Sequence, residues 1–193
     1  MKKILVIIAH TREDSFCNAL TNQYIAGTEK SGNEIKVVEL RKLNLEGFLM
    51  NGHDPSPNLT PDLIEAQKLI TWADHITFTY PTWWATPPAI LKLFIERIWE
   101  PGFAYKYIES KGSIPKWDKL LKDRTARVIS TMDSPPLYMK FFVGDPGGKM
   151  MKDIMNFTGI KLLGKHYFGS VRTSSQKQRE QWLEKAYKIG EKE

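Results

Sequence analysis

Apolar and polar positions fall in alternating blocks along this chain. Residues 4–9 form an unbroken aliphatic run, the pattern of a strand buried on both faces. A polar turn at 10–14 leads into a helical rhythm over 16–30, and Gly32 stands where a C-terminal helix cap belongs. Residues 34–40 are rich in β-branched side chains and read as a second strand. A stretch of Asn, Asp, Pro and Gly at 44–58 reads as a long loop. Thr60 then suits an N-cap, with Pro61 at the first position of the following helix. Later blocks predict strands at 75–80, 126–131 and 166–171, and helices at 88–99 and 149–157, with 101–123 irregular. Ser175 and Gln178 have capping-box spacing ahead of a terminal helix carrying Trp182, Ala186 and Ile189.

The order β-α-β-α-β-α-β-α-β-α predicts an α/β fold, a doubly wound parallel sheet with helices on both faces. No repeat, low-complexity segment or linker interrupts it, so one domain over 1–193 is expected. Apolar content of 41% and charged content of 26% are those of an ordinary globular chain. No segment approaches the ~18–20 apolar residues of a membrane span, and the N-terminal run is too short for a signal peptide. The single Cys17 excludes an internal disulfide framework and a structural zinc site, which points to a reducing cytoplasm. A net charge of +6 favours anionic partners, but the basic residues are dispersed. With no cysteine–histidine finger or arginine-rich arm, nucleic acid is not an expected partner.

In open α/β sheets, ligands bind beyond the carboxyl ends of the strands, where strand order reverses. Three unusual loops leave those ends: "HTREDSFCN" (10–18), "PTWWATPP" (81–88) and "MDSPPLY" (132–138). The first ends at a helix N-terminus, whose free N–H groups favour an anion, and His10 and Ser15 add donors. Neither G-x-G-x-x-G nor G-x-x-x-x-G-K-[ST] occurs, so this loop suits a terminal phosphate or pyrophosphate. It also reads as a simple capped turn, with Asp14 or Ser15 as N-cap. The second loop is stiffened by Pro81, Pro87 and Pro88 and presents Trp83 and Trp84, a surface for a flat, partly polar ligand. A core or interface role for the two tryptophans stays open beside that reading.

Taken together, "AH" at 9–10 with "SF" at 15–16, P-x-x-W at 81–84 with "PAILKLFIERI" at 88–98, "GFAYKY" at 102–107, and Ser130 and Thr131 ahead of Tyr138 resemble the flavodoxin-like NAD(P)H dehydrogenase (quinone) family, in its bacterial NAD(P)H-dependent oxidoreductase branch. The match runs in consistent order over roughly 2–170. The resemblance implies sheet order 2-1-3-4-5, a tightly bound FMN or FAD, and a homodimer with flavin sites at the subunit interface. It implies that His10, Ser15 and Phe16 belong to the flavin-phosphate loop, with Cys17 at the family's usual Asn position and Asn18 one place later. By the same match, Pro81, Thr82, Trp83 and Trp84 lie along the isoalloxazine edge, Trp84 in the family's Trp position, and Thr131, Met132 and Asp133 form the third flavin loop. Tyr105 and Tyr107 match aromatic residues covering the partner subunit's substrate pocket. Two departures stand out: the third loop reads "TMDSPP" instead of Thr-Gly-Gly, and Gly144 replaces the quinone-site His that follows the Tyr matched by Tyr138.

The expected activity is ping-pong hydride transfer from NAD(P)H through the bound flavin to a quinone or similar acceptor. Tyr138 and loop N–H groups are candidates to stabilise the reduced flavin. The basic residues from Lys106 to Arg127 either attract nucleotide phosphates or form a solvated surface alternating with Glu109, Asp118 and Asp123. In the helix at 88–99, Ile90, Leu91, Leu93, Phe94, Ile95 and Ile98 leave only a narrow polar stripe at Lys92 and Glu96, which favours a second subunit. Two alternatives belong to other classes: an electron-carrier flavodoxin, and a flavin-binding regulatory subunit of a membrane transport protein.

Overall fold

The computed structural model describes residues 1–45, 59–109 and 113–193. The loop expected at 44–58 therefore lies almost wholly outside the described residues. In chain order the elements are β1 (Lys3–Ile8), α1 (Phe16–Lys30), β2 (Glu34–Glu39), α2 (Pro61–Trp72), β3 (His75–Pro81), α3 (Ala89–Ile98), β4 (Tyr105–Ile108), β5 (Lys116–Lys119), β6 (Thr125–Thr131), α4 (Pro136–Tyr138), α5 (Pro146–Thr158), β7 (Lys161–Phe168) and α6 (Gln176–Gly190).

Five strands form one sheet in the order β2-β1-β3-β6-β7, with every neighbouring pair parallel. Counting only the strands of this sheet, that is the expected order 2-1-3-4-5. The aliphatic run of β1 and the whole of β3 are buried, as central strands covered on both faces must be. Leu5, Ile7 and Phe78 pack toward Leu91, Phe94 and Met151, whereas Ile4, Val6 and Ile8 pack toward Leu20, Tyr24 and Ala186. Period-2 alternation thus divides the core between an α2/α3/α5 side and an α1/α6 side. Helix starts follow their sequence signals: Thr60 Oγ1 accepts from Leu63 N–H, and Ser175 Oγ accepts from Gln178 N–H.

Three expectations need correction. The "irregular" stretch contains an antiparallel hairpin, β4 with β5, pairing Tyr107 with Trp117. Its alternation of aromatic and charged residues hides the strands, because one face of so short a ribbon remains wet. The last strand begins at Lys161 and ends at Phe168, not at 166–171. As a sheet edge it is only partly buried, and Gly164 breaks its apolar pattern. The helix expected at 149–157 starts earlier, at Pro146, so "GDPGGK" at 144–149 is a helix start. Asp145 caps it by accepting from Gly148 N–H, and it also pairs with Lys165 and accepts from Tyr167 Oη at 2.7 Å. A Cβ on Gly148 would stand 2.1 Å from that Tyr167 oxygen, which is why a helix can open here on a residue of poor helix propensity.

Candidate active site

The chain leaves β1 toward β2 on one side and returns to β3 on the other, so the loops after β1 and β3 part at the carboxyl edge. The first loop is pinned before it becomes helix. Ser15 Oγ accepts from Asn18 N–H at 3.1 Å, and Asn18 Nδ2 donates to the carbonyls of Glu13 and Arg12 at 2.8 and 3.3 Å. Asn18 therefore braces the loop from behind. Among the described residues, the N–H groups of Phe16 and Cys17 have no acceptor, as expected in a first helical turn. Cys17 is buried beneath them; burial pushes its thiol up to about 12, and a hydrogen bond with Thr131 pulls the other way. It is a packing residue that remains a thiol at neutral pH.

His10 is nearly buried. Its Nδ1 accepts from Arg12 N–H at 3.0 Å, which leaves the proton on Nε2 of the neutral ring. Burial lowers its pKa and the Arg12 charge lowers it further. At neutral pH the crevice therefore has an uncharged, oriented imidazole that can donate one hydrogen bond.

Trp83 lies against this imidazole, edge to face at 5.8 Å. Its turn is a two-residue hairpin: Trp83 N–H donates to Thr86 O at 2.9 Å and Thr86 N–H to Trp83 O at 3.0 Å. Both central residues, Trp84 (φ 52°) and Ala85 (φ 65°), are left-handed, the geometry such turns need and normally obtain from Asn or Gly. Each costs about 1 kcal/mol or more in this conformation. Gly147 N–H holds the turn by donating to Ala85 O at 3.1 Å. Trp84 consequently projects outward and is 99% exposed.

The third loop is tied down differently. Thr131 O accepts from Thr82 N–H at 2.7 Å, and Met132 N–H donates to Phe168 O at 2.9 Å. Met132 therefore drops out of the loop N–H groups expected to stabilise a reduced flavin, since β7 takes that donor. Asp133 turns its carboxylate toward Arg172 N–H at 3.2 Å, which relieves the conflict an inward carboxylate would create near an electron-rich ligand.

These loops enclose a crevice of about 160 Å³. Its wall includes every residue expected at a flavin site except Asn18, behind the loop, and Trp84, outside it. Arg12 and Val171 join the wall unexpectedly. Arg12 was legible in the loop itself, but Val171 was hidden by the misplaced end of the last strand. Tyr138 is half exposed and stacks on Phe142 at 5.5 Å, outside the crevice wall. Tyr105 and Tyr107 lie on the α3/α5 side, edge to face at 5.4 Å, in a depression of about 470 Å³ with Ile95, Ile154 and Phe157. A second depression of about 470 Å³ carries Trp84, Pro87, Leu93 and Met150, and the two meet at Lys92 and Glu96. Among the described residues, no group of His, Cys, Asp and Glu is arranged to hold a metal ion.

An anion-seeking helix start at the switch point of a parallel sheet, beside an aromatic turn, defines a doubly wound α/β protein with a ligand crevice at its carboxyl edge. The chain belongs to the family described by its flavodoxin-like fold, whose model matches residues 2–189. It is 28% identical over 188 residues to a Haemophilus influenzae protein named as an uncharacterized NAD(P)H oxidoreductase, covering 94% of this chain and 91% of that one. It is also 28% identical over 187 residues to NAD(P)H dehydrogenase [quinone] 1 of Cavia porcellus, covering 84% of this chain but 66% of the relative. Among solved structures, NAD(P)H:quinone oxidoreductase from Methanothermobacter marburgensis superposes with a TM-score of 0.78 at 23% identity, covering 98% of this chain and 96% of that one.

Proposed function

We propose that this protein is a flavin-dependent NAD(P)H:quinone-type oxidoreductase. The observation that carries the reading is the crevice: two free N–H donors at the start of α1, a neutral His10 and the Trp83 turn converge there. That donor set fits the phosphate and ring of a flavin. His10, Ser15 and the Phe16 and Cys17 N–H groups would hold the phosphate, while Pro81, Thr82, Trp83 and the Thr131–Asp133 loop would bound the ring. A bound flavin supplies ping-pong hydride transfer, from the reduced nicotinamide to a quinone or similar acceptor. The protein's part is to fix the cofactor and leave one face open to each substrate in turn. The relatives' names support the same reaction class.

At about 160 Å³, the crevice is smaller than the ~300–1,000 Å³ of sites that enclose a small molecule. A flavin would be held mainly at its phosphate end, with another surface needed to cover the ring. The α3/α5 depressions, with the exposed Trp84 and Tyr107, provide an apolar face for a second copy of the chain. Homodimerisation would bring Tyr105 and Tyr107 of each copy to the other's acceptor site. A cytoplasmic location is consistent with the lone buried thiol; no helix among the described residues is long and apolar enough to cross a membrane.

The purified protein should show flavin absorbance, and chromatography of the released cofactor will distinguish FMN from FAD. NADH and NADPH oxidation with a soluble quinone should follow. A colourless protein that takes up neither flavin overturns the reading, and bound flavin without turnover favours a regulatory role. His10→Ala should weaken flavin binding by roughly tenfold or more, the effect of losing a hydrogen bond to a charged group, with the fold intact by circular dichroism.

A further inference from the structure

A second polar pocket lies on the α1/α6 side of the sheet, away from the crevice and from the α3/α5 depressions. Arg127 sits two residues before Ile129 and shares its face; Gly164 and His166 likewise alternate with Phe168 on β7. Register pairs Arg127 with Gly164. Lacking a side chain, Gly164 lets the guanidinium lie across the edge strand: a Cβ there would stand 3.1 Å from Arg127 Nη1 and 3.3 Å from His166 Nε2. Helix α6 supplies the opposite wall with Gln181, Lys185 and Lys188, spaced to share one stripe, and Lys192 just beyond. The enclosed volume is about 420 Å³.

Arg127 is fixed in place. Its Nε donates to Glu193, whose side chain is 2% exposed, and Nη1 meets His166 Nε2 at 2.7 Å. Nη2 has no hydrogen-bond partner among the described residues. Charge pairing leaves an imbalance. Glu193 answers Arg127, and Glu184 answers Lys188 at 3.1 Å. Lys185 and Lys192 have no carboxylate within ion-pair distance among the described residues, although both line the pocket. Nearby positive charge also bears on His166: after burial, Arg127 and Lys185 are the causes that lower its pKa to about 4, with Glu193 opposing them. Two ammonium groups without a carboxylate partner thus line one pocket with an ordered guanidinium N–H, a neutral imidazole and the Glu184 carboxylate that pairs with Lys188. The ammonium of Lys185 lies over the Phe168 ring at 5.7 Å.

We infer that this pocket binds a small phosphate-bearing anion with at least two negative charges, at a site separate from the flavin crevice. Arg127 and Thr131 are four residues apart on β6, about 13 Å at strand rise, so one ligand of this size does not bridge the two sites. The bound anion completes the charge balance of Lys185 and Lys192 and takes the free Nη2–H. Because it offsets the cations around His166, binding raises that histidine's pKa.

The test titrates inorganic pyrophosphate into the purified protein, with its cofactor in place, while the histidine ring resonances are followed by NMR. Potassium chloride at matched ionic strength serves as the control. Saturable movement of the His166 signals and a rise in its titration midpoint are expected. Lys185→Ala combined with Lys192→Ala should weaken binding by roughly tenfold, about 1.4 kcal/mol, and Gly164→Ala should weaken it by displacing the guanidinium. The surface lysine variant keeps the test independent of any folding defect caused by Gly164→Ala. Equal shifts with chloride, shifts at His10 alone, or unchanged affinity in the double lysine variant would each overturn the site.

Discussion

The two ends of the sheet handle a buried histidine in opposite ways. At the carboxyl edge, His10 is neutral, faces a cavity and is surrounded by donors without acceptors. At the amino edge, His75 is fully buried and bonded through Nδ1 to Thr125 Oγ1 at 2.7 Å. Its Nε2 lies 3.7 Å from the Glu193 carboxylate, which also meets Arg127 and Tyr24 Oη. Burial lowers the pKa at both histidines, so a shifted histidine alone does not mark a ligand site. What separates the ends is where the polar groups go. Those at the amino edge are mostly spent on one another, with His75 Nε2 near Glu193 but without a hydrogen bond and Arg127 Nη2 turned to the α6 pocket, whereas those at the carboxyl edge are left open. Backbone strain follows the same division: of the left-handed non-glycine residues among the described residues, Trp84, Ala85, Asp145 and Ser170 lie in loops around the carboxyl edge, and only Asp123 lies at the amino edge.

Breaking the closed end should have the largest effect. Arg127→Ala leaves Glu193 buried without its main counter-charge, which typically costs about 3–5 kcal/mol. Urea denaturation should show that loss, while affinity for the proposed flavin, whose crevice lies at the other end of β6, stays near wild type. A variant that lost flavin and kept its stability would invert the comparison. Acid should act at the same place somewhat less strongly. The folded-state pKa of His75 is lowered from 6.5 to about 4, chiefly by burial, with Glu193 opposing. Below 6.5 the unfolded chain takes up a proton that the folded chain refuses until about 4. Stability is therefore fully present above that window and falls as pH drops through it, by about 3 kcal/mol at about 1.4 kcal/mol per unit. His166 adds to the loss in the same direction. Comparing urea midpoints at pH 7 and pH 5 for wild type and His75→Gln checks the assignment: the variant should be the less pH-sensitive, and equal slopes would refute it.

The open end was the more legible of the two in the sequence. Central strands announce themselves by unbroken apolar runs, and Thr60 and Ser175 announce helix starts by their caps, because both signals are local. The loops after β1 and β3 follow those strands directly, so His10, Ser15 and Trp83 could be assigned to one crevice before any geometry was known. Val171 could not, because the edge strand before it has too weak an alternation to locate its end. The destination of Met132 N–H was also unreadable, since Phe168 lies far along the chain. The Arg127–Glu193–Tyr24 cluster is brought together from β6, the residues after α6 and α1, contacts that no window of sequence contains. Trp84 shows the remaining limit. Its match to the family's Trp position is a matter of alignment, while its outward direction comes from the sign of one dihedral angle.

That angle also provides the finest test. Trp84 and Ala85 hold left-handed conformations without glycine, and relieving one such residue is worth about 1 kcal/mol or somewhat more. Glycine's larger unfolded-state entropy returns roughly half of that. Ala85→Gly should therefore raise stability by about 0.5 kcal/mol, a small upward shift of the urea midpoint with an unchanged slope. The same change loosens the turn that carries Trp83 against His10, so flavin binding should weaken even as the fold gains. Opposite signs for stability and affinity are what a strained, preorganised ligand turn requires. If Ala85→Gly lowers both, the turn is shaped by packing against Gly147, and strain has no part in separating the two ends of the sheet.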